Sequence, residues 1–246
     1  MKSLFEIGRY FVFLSKVFAR PEKGRIYFKR FFEEIYLLGI NSFGIVAIIS
    51  IFMGMVITLQ TAYNLENPLI PEYLIGLTTR DSMILEFSST IVGLILAGKV
   101  GSNIASEIGT MQVTEQIDAL EIMGVNSASY LVMPKIFAFM FILPFLVIFS
   151  IFIGIIGGLI VSITTNAIST QDYLYGIHYA FNDYYVIYTL IKSLFFAFII
   201  TSISSYFGYY TKGGALEVGK ASTKGVVYSS IFILLFNYIL TQLLLT

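Results

Sequence analysis

Residues 136–170 read IFAFMFILPFLVIFSIFIGIIGGLIVSITTNAIST, thirty-five consecutive positions without a charge. A helix needs roughly 20 predominantly apolar residues to cross the hydrocarbon core of a bilayer, and this stretch exceeds that. The whole chain is 57% hydrophobic and 12% charged, against about 45–50% and about 25% in soluble domains. A soluble domain of this length leaves about a quarter of its unfolded surface exposed. So much apolar surface cannot be hidden from water, and the bilayer must be part of the solvent.

Outward from that stretch, residues 35–65 and 225–246 are equally free of charge. Residues 193–211 are charge-free but short, and extend back past Lys192 toward Tyr184. Only twelve uncharged residues separate Glu86 from Lys99, so a spanning helix there must take in Glu86, run past Lys99, or both. Five spans are expected, at about 37–61, 79–100, 135–162, 186–210 and 226–245. Lys2, Arg9, Lys16, Arg20, Lys23, Arg25, Lys29 and Arg30 precede the first, Lys99 and Lys135 follow the second, and Lys212, Lys220 and Lys224 follow the fourth. Thirteen of fifteen cations thus fall on one side, leaving Arg80 and Lys192 for the other. The positive-inside rule puts the N-terminus in the cytoplasm and the C-terminus outside.

The N-terminal segment is no cleavable signal peptide, because Glu6, Arg9 and Lys16 interrupt it and no small-x-small site follows. At 100° per residue Lys2, Glu6, Arg9, Lys16 and Arg20 fall within about 80°, with Leu4, Phe5, Phe11, Leu14, Val17 and Phe18 around much of the rest. This suits a helix lying in the cytoplasmic interface, or one packed on another subunit; Pro21 ends it. Zero formal net charge gives no basic field for nucleic acid, and the absence of Cys removes disulfides and thiolate sites. One histidine, His178, excludes a His-rich metal site, and it sits beside Tyr173, Tyr175 and Tyr179, interfacial anchors without assigned chemistry. Pro144 is expected to kink the third span, with Gly154 and Gly158 as a packing pair, and Ser229, Ser230, Asn237 and Thr241 to make interhelical hydrogen bonds.

Residues 86–126 read EFSSTIVGLILAGKVGSNIASEIGTMQVTEQIDALEIMGVN. Ser89, Gly93, Ala97, Gly101, Ala105 and Gly109 recur at every fourth position, a ridge of small side chains that serves either packing within the chain or a subunit interface. Four acids, Glu107, Glu115, Asp118 and Glu121, fall on the same cytoplasmic side. Thr114 is expected as an N-cap with Glu115 in the first turn, and Gly124 and Asn126 as the stop. Ile117, Leu120 and Met123 form an apolar stripe, with Gln116, Asp118 and Glu121 pointing elsewhere. Such a helix is a rigid handle for a soluble partner, or an interfacial loop helix with none.

AGKVGSNIASEIGTMQVTEQIDALEIMGVN, at 97–126, closely resembles the signature of the MlaE/YrbE family, the permease subunits of MCE-type ABC transporters. GMVITLQTAY at 54–63, the Lys192-Ser193 pair and GKASTKGVVYSS at 219–230 continue the likeness from about Lys29 onward. The resemblance implies an all-α integral membrane protein: an N-terminal interfacial helix, five transmembrane helices and a short cytoplasmic coupling helix. Residues 1–246 would be one permease domain, with 1–34 interfacial and 35–246 the five-span core. It implies a non-enzymatic subunit in a bacterial inner membrane, moving phospholipid between two membranes. The partners would be a second copy, a separate ABC ATPase that uses the ATP, and a periplasmic MCE-domain protein. The coupling helix falls on 114–124, including Thr114, Glu115, Gln116, Asp118, Leu120, Glu121 and Gly124. Glu86 matches the acid of the family's Arg-Glu-Leu-Gly-Pro run near the lipid pocket, but here the run reads Leu85-Glu86-Phe87-Ser88-Ser89, without the Arg, Gly and Pro. Arg80 and Asp81 would then supply the charge partner. Independently of the resemblance, an ionisable side chain inside a span is costly. Glu86 is therefore expected to pair with Arg80 or Lys192, as a structural ion pair near the interface, or to line a polar cavity that receives a lipid headgroup.

No Gly-Lys-Ser/Thr phosphate loop occurs, so ATP chemistry has to come from elsewhere. Neither HExxH nor GxSxG is present. An intramembrane lipid-modifying enzyme using Glu86 or Asp81, and an ion-coupled carrier, are the alternatives. The first would need a second catalytic group and the second inverted repeats.

Overall fold

Within hydrocarbon every backbone amide must find its partner inside the protein, and a helix does this within one segment. The computed structural model describes residues 2–19, 24–65, 70–165 and 167–245, and among them there is no strand. Pro21, the expected stop of the first helix, lies outside these residues.

The chain begins with α1 (Lys2–Phe18). Next, α2 (Gly24–Glu34) runs through a π turn at Ile35–Gly39 and a 3-10 turn at Ile40–Ser42 into α3 (Phe43–Asn64). Helix therefore runs continuously through position 34/35. The second long helix joins α4 (Tyr73–Ser82), α5 (Val92–Leu96) and α6 (Ser102–Val113) through π-helical segments at Met83–Ile91 and Ala97–Gly101. Then come α7 (Gln116–Ile122), α8 (Ser127–Thr164), α9 (Thr170–His178), α10 (Asp183–Tyr209) and α11 (Ala215–Leu245). Five helices are long and apolar enough to cross a membrane: Tyr27–Asn64, Tyr73–Val113, Ser127–Thr164, Asp183–Tyr209 and Ala215–Leu245. Each contains most of one expected span and nearly all extend past it, because helix continues into polar residues until a glycine or turn stops it. Pro144 leaves α8 unbroken.

The chain divides into two compact units. The first comprises Met1–Asn41, Leu94–Ile142 and Phe195–Ile239. In it α1 packs on α10 of the same chain. Phe13 and Val17 are fully buried, and the Phe13 ring lies 5.2–5.9 Å from the rings of Tyr206, Tyr209 and Tyr210. Tyr10 and Ser202 share a hydrogen bond of 2.8 Å, and Asn126 donates to the carbonyls of Lys16 and Ala19. The other face of α1 leaves Phe5 and Phe11 exposed at 72% and 63%. The small-residue ridge is filled from within this unit: a Cβ on Gly101 would lie 2.7 Å from Ser204 Oγ, and one on Gly208 2.8 Å from the Ala105 carbonyl. Ala97 and Gly109 are buried as well.

The second unit comprises Ser42–Gly93, Leu143–Leu194 and Leu240–Thr246. Here α3 and α8 meet backbone to backbone, since a Cβ on Gly54 would sit 1.8 Å from the Gly154 carbonyl oxygen. Ser50 donates to Ser150 at 2.7 Å across the same pair of helices. Ser169 caps α9 by accepting from the Asp172 amide, and the buried Tyr173 donates to the Ile155 carbonyl at 2.9 Å. Gly93 and Ser89 are buried in this unit.

Candidate functional site

Glu86 sits in the π-helical segment Met83–Ile91. Single π turns interrupt the regular ladder and recur at functional positions. Three helices of the second unit converge on its carboxylate. Lys192 of α10, with no exposed side chain, places Nζ 3.1 Å from Glu86 Oε1 and 3.0 Å from the Leu85 carbonyl. Thr90 donates to Oε2 at 3.1 Å, and Thr241 of α11 donates to Oε1 at 3.4 Å. Thr189 donates to the Ile84 carbonyl, so α10 serves two consecutive carbonyls of the π segment. Tyr188 hydrogen-bonds Thr241 at 2.7 Å and sets its ring 4.8 Å from Lys192 Nζ. The ammonium is therefore fully enclosed, whereas 40% of the Glu86 side chain stays accessible. Both carboxylate oxygens are thus held by the protein, while part of the side chain stays at the surface.

Of the two charge partners considered for Glu86, the structure selects Lys192. Arg80 is 2% exposed and is consumed elsewhere: it pairs with Asp81 at 2.8 Å and donates to the carbonyls of Ile177 and Tyr179, both at 2.8 Å. Five donors in a rigid fork suit it to closing the end of α9, so it does not belong to the Glu86 cluster. Thr241 and Tyr188 do belong to it. The spacing of Tyr188, Thr189 and Lys192, one face of a helix, carried that signal in the sequence.

In the first unit, α7 corrects the expected cap. Thr114 ends α6, donating its hydroxyl to the Thr110 carbonyl, and it is Glu115 that precedes α7, in the left-handed region at φ 59° with no side-chain cap bond. Gly124, at φ 78°, does stop the helix. Its amide bonds to the Glu121 carbonyl and that of Val125 to Leu120, the paired bonds of a glycine-terminated helix. Only Ile117 is buried; Leu120 is intermediate, and Ile122 and Met123 are 87% and 68% exposed. The accessible surface is thus Ile122 and Met123 flanked by Glu115, Gln116, Asp118 and Glu121. Glu121 is exposed as well, but it ties back to neighbouring helices: its Oε1 lies 2.9 Å from the Ser127 hydroxyl and 3.0 Å from that of Tyr209, and those hydroxyls lie 2.8 Å apart, two protons shared among three contacts. One carboxylate so joins α7 to the start of α8 and the end of α10.

A second link was not read from the sequence. Lys135 of α8, 1% exposed, lies 2.6 Å from Glu34 of α2 and 2.8 Å from Glu107 of α6. Three charges spaced over a hundred residues carry no pairing signal until the helices pack. Among the described residues no group of His, Cys, Asp or Glu is placed to hold a metal ion.

Comparison with known proteins supplies the remaining constraint. The family profile described as Permease MlaE matches residues 31–243. A probable ABC transporter permease protein of Rickettsia bellii is 37% identical over 237 residues, covering 96% of this chain and 91% of that one. A probable ABC transporter permease protein of Synechocystis is 35% identical, over 95% and 89% of the two chains. The chloroplastic protein trigalactosyldiacylglycerol 1 of Arabidopsis thaliana is 30% identical, over 94% of this chain and 66% of its own.

Proposed function

Because this chain belongs to the MlaE permease family, we propose that it is the membrane subunit of an ATP-driven phospholipid transporter. It works as a homodimer in a bacterial inner membrane, N-terminus cytoplasmic, and moves lipid between the inner and outer membranes. A separate ABC ATPase binds and hydrolyses the ATP, this chain holds no cofactor, and an MCE-domain protein receives or delivers lipid on the periplasmic side. The observation that carries this reading is the family match over 31–243, joined to five helices of membrane-spanning length. The galactolipid in the name of the Arabidopsis relative supports a lipid as cargo.

In this mechanism residues 1–246 act as one permease domain. The ATPase grips α7 through Ile122 and Met123, with Glu115 and Asp118 beside them. ATP-driven movement of α7 passes through Glu121 to Tyr209 and Ser127, and so into α10 and α8. Lys135 carries it on to α6 and α2 through Glu107 and Glu34. Glu86, anchored by Lys192 yet accessible, lines the polar end of the lipid pocket and meets the headgroup.

The test is co-purification of the tagged chain from its host in mild detergent, followed by transport in proteoliposomes. Recovery of an ATPase, an MCE-domain protein and phospholipid is the expected result. Glu86→Gln and Glu86→Ala should both lower transport at normal expression. Normal transport by both would remove Glu86 from the pocket, and recovery of the chain alone would overturn the transporter assignment.

A further inference from the structure

A cavity of about 370 Å³ lies in the first unit between α1, the end of α10 and the start of α11. Four cations reach its wall, Arg9, Lys212, Lys220 and Lys224, against two carboxylates, Glu6 and Glu217. Glu217 is occupied by Lys220 at 2.6 Å. The Arg9 guanidinium is stacked over the Tyr210 ring at 3.7 Å, which fixes it on one wall while its charge remains. Among the described residues, Lys212 and Lys224 have no carboxylate within ion-pair distance. The cavity therefore carries two positive charges beyond its acids, on side chains that no described carboxylate compensates.

We infer that this cavity binds an anionic phosphoryl group. Compact ammonium donors around a guanidinium match a phosphate's several acceptor oxygens. The adjoining face of α1 favours a lipid source, since Phe5 and Val12 stand exposed at 72% and 56% on the helical face next to Arg9. An acyl chain along those side chains and a headgroup in the recess would satisfy both surfaces. This site is separate from Glu86 and needs only that the chain lie in a bilayer; it is independent of the proposed transport.

The test uses the full chain, purified and delipidated in a neutral detergent, with native mass spectrometry at low salt as readout. Three probes are added separately: phosphatidylglycerol, phosphatidylethanolamine and inorganic phosphate. Phosphatidylglycerol should be retained in preference to phosphatidylethanolamine. Lys212→Gln with Lys224→Gln should weaken that retention about thirtyfold, from about a kcal/mol for each surface cation near anionic lipid. Both lysines are exposed, and an unchanged melting temperature verifies the fold. Lys16→Gln with Lys29→Gln removes two cations outside the cavity and should leave retention within about twofold. If inorganic phosphate binds with the same dependence on Lys212 and Lys224 and phosphatidylglycerol does not, the phosphoryl site stands with a soluble source. Equal loss in the two double variants would reduce the effect to diffuse surface charge and overturn the site. Failure of all three probes to bind in a lysine-dependent way would overturn it too, leaving the transporter reading intact.

Discussion

Lys135→Met should be among the most damaging single substitutions in this chain. The ammonium is 1% exposed and sits between Glu34, whose side chain is 10% exposed, and Glu107, at 41%. Removing one partner of a buried ion pair costs about 3–5 kcal/mol, because the remaining charge is left desolvated. Here that charge is chiefly Glu34. Its Oε1 loses a 2.6 Å contact, and its Oε2 already has no hydrogen-bond partner. Glu107 keeps its water and suffers little. A loss of this size in a chain this long corresponds to a melting-temperature drop on the order of 10 °C. Lys135→Met with Glu34→Gln should recover most of that drop, and Lys135→Met with Glu107→Gln only a minor part. Thermal unfolding of the detergent-purified variants, read by size-exclusion chromatography, measures all three. A drop smaller than about 2 °C for Lys135→Met would refute the reasoning. So would better rescue from Glu107→Gln than from Glu34→Gln, because the burial difference would then not govern the energy.

Four further outcomes follow from the same geometry. Glu86→Leu should destabilise more than Lys192→Met, since the first strands an ammonium with no exposure and the second a carboxylate that is 40% exposed; the order of melting temperatures checks it. Gly54→Ala should cost far more than Gly98→Ala, because its Cβ would overlap a backbone carbonyl at 1.8 Å whereas nothing lies within 4 Å of Gly98; thermal unfolding again decides. Tyr209→Phe removes a hydroxyl that Glu121 and Ser127 both use, at about 1–2 kcal/mol; it should lower coupling of ATPase activity to transport more than it lowers ATPase binding, whereas Glu115→Lys with Asp118→Lys should do the reverse. Burial pushes the Tyr173 phenol from 10.0 up to about 12. The unfolded chain therefore ionises first, and stability present below pH 10 is lost as pH rises toward 12; urea titrations should show that alkaline loss flattened in Tyr173→Phe.

The sequence by itself determined the solvent and the scaffold. Uninterrupted apolar runs such as 136–170 have one low-energy state in a bilayer, so the number of spans follows from length and charge alone. The stop at Gly124 was legible for a similar reason, since a left-handed residue ends a helix wherever it stands. So was the need of Glu86, an ionisable group within a span, for a charge partner. Only tertiary structure decided which partner. Arg80 is nearer in sequence, but the helical turn carries it to the carbonyls of Ile177 and Tyr179, while α10 brings Lys192 alongside from more than a hundred residues away. The face of α7 was legible only in part. Periodicity sets Ile117, Leu120 and Met123 apart from Gln116, Asp118 and Glu121, and those three polar residues are exposed. Of the stripe Ile117 is buried and Leu120 half-buried, but Met123 faces out, and Glu121 reaches Tyr209 from the surface. Local physics fixes what a residue must have, a hydrogen bond or a countercharge; which residue provides it depends on how the helices pack, and no single segment contains that information.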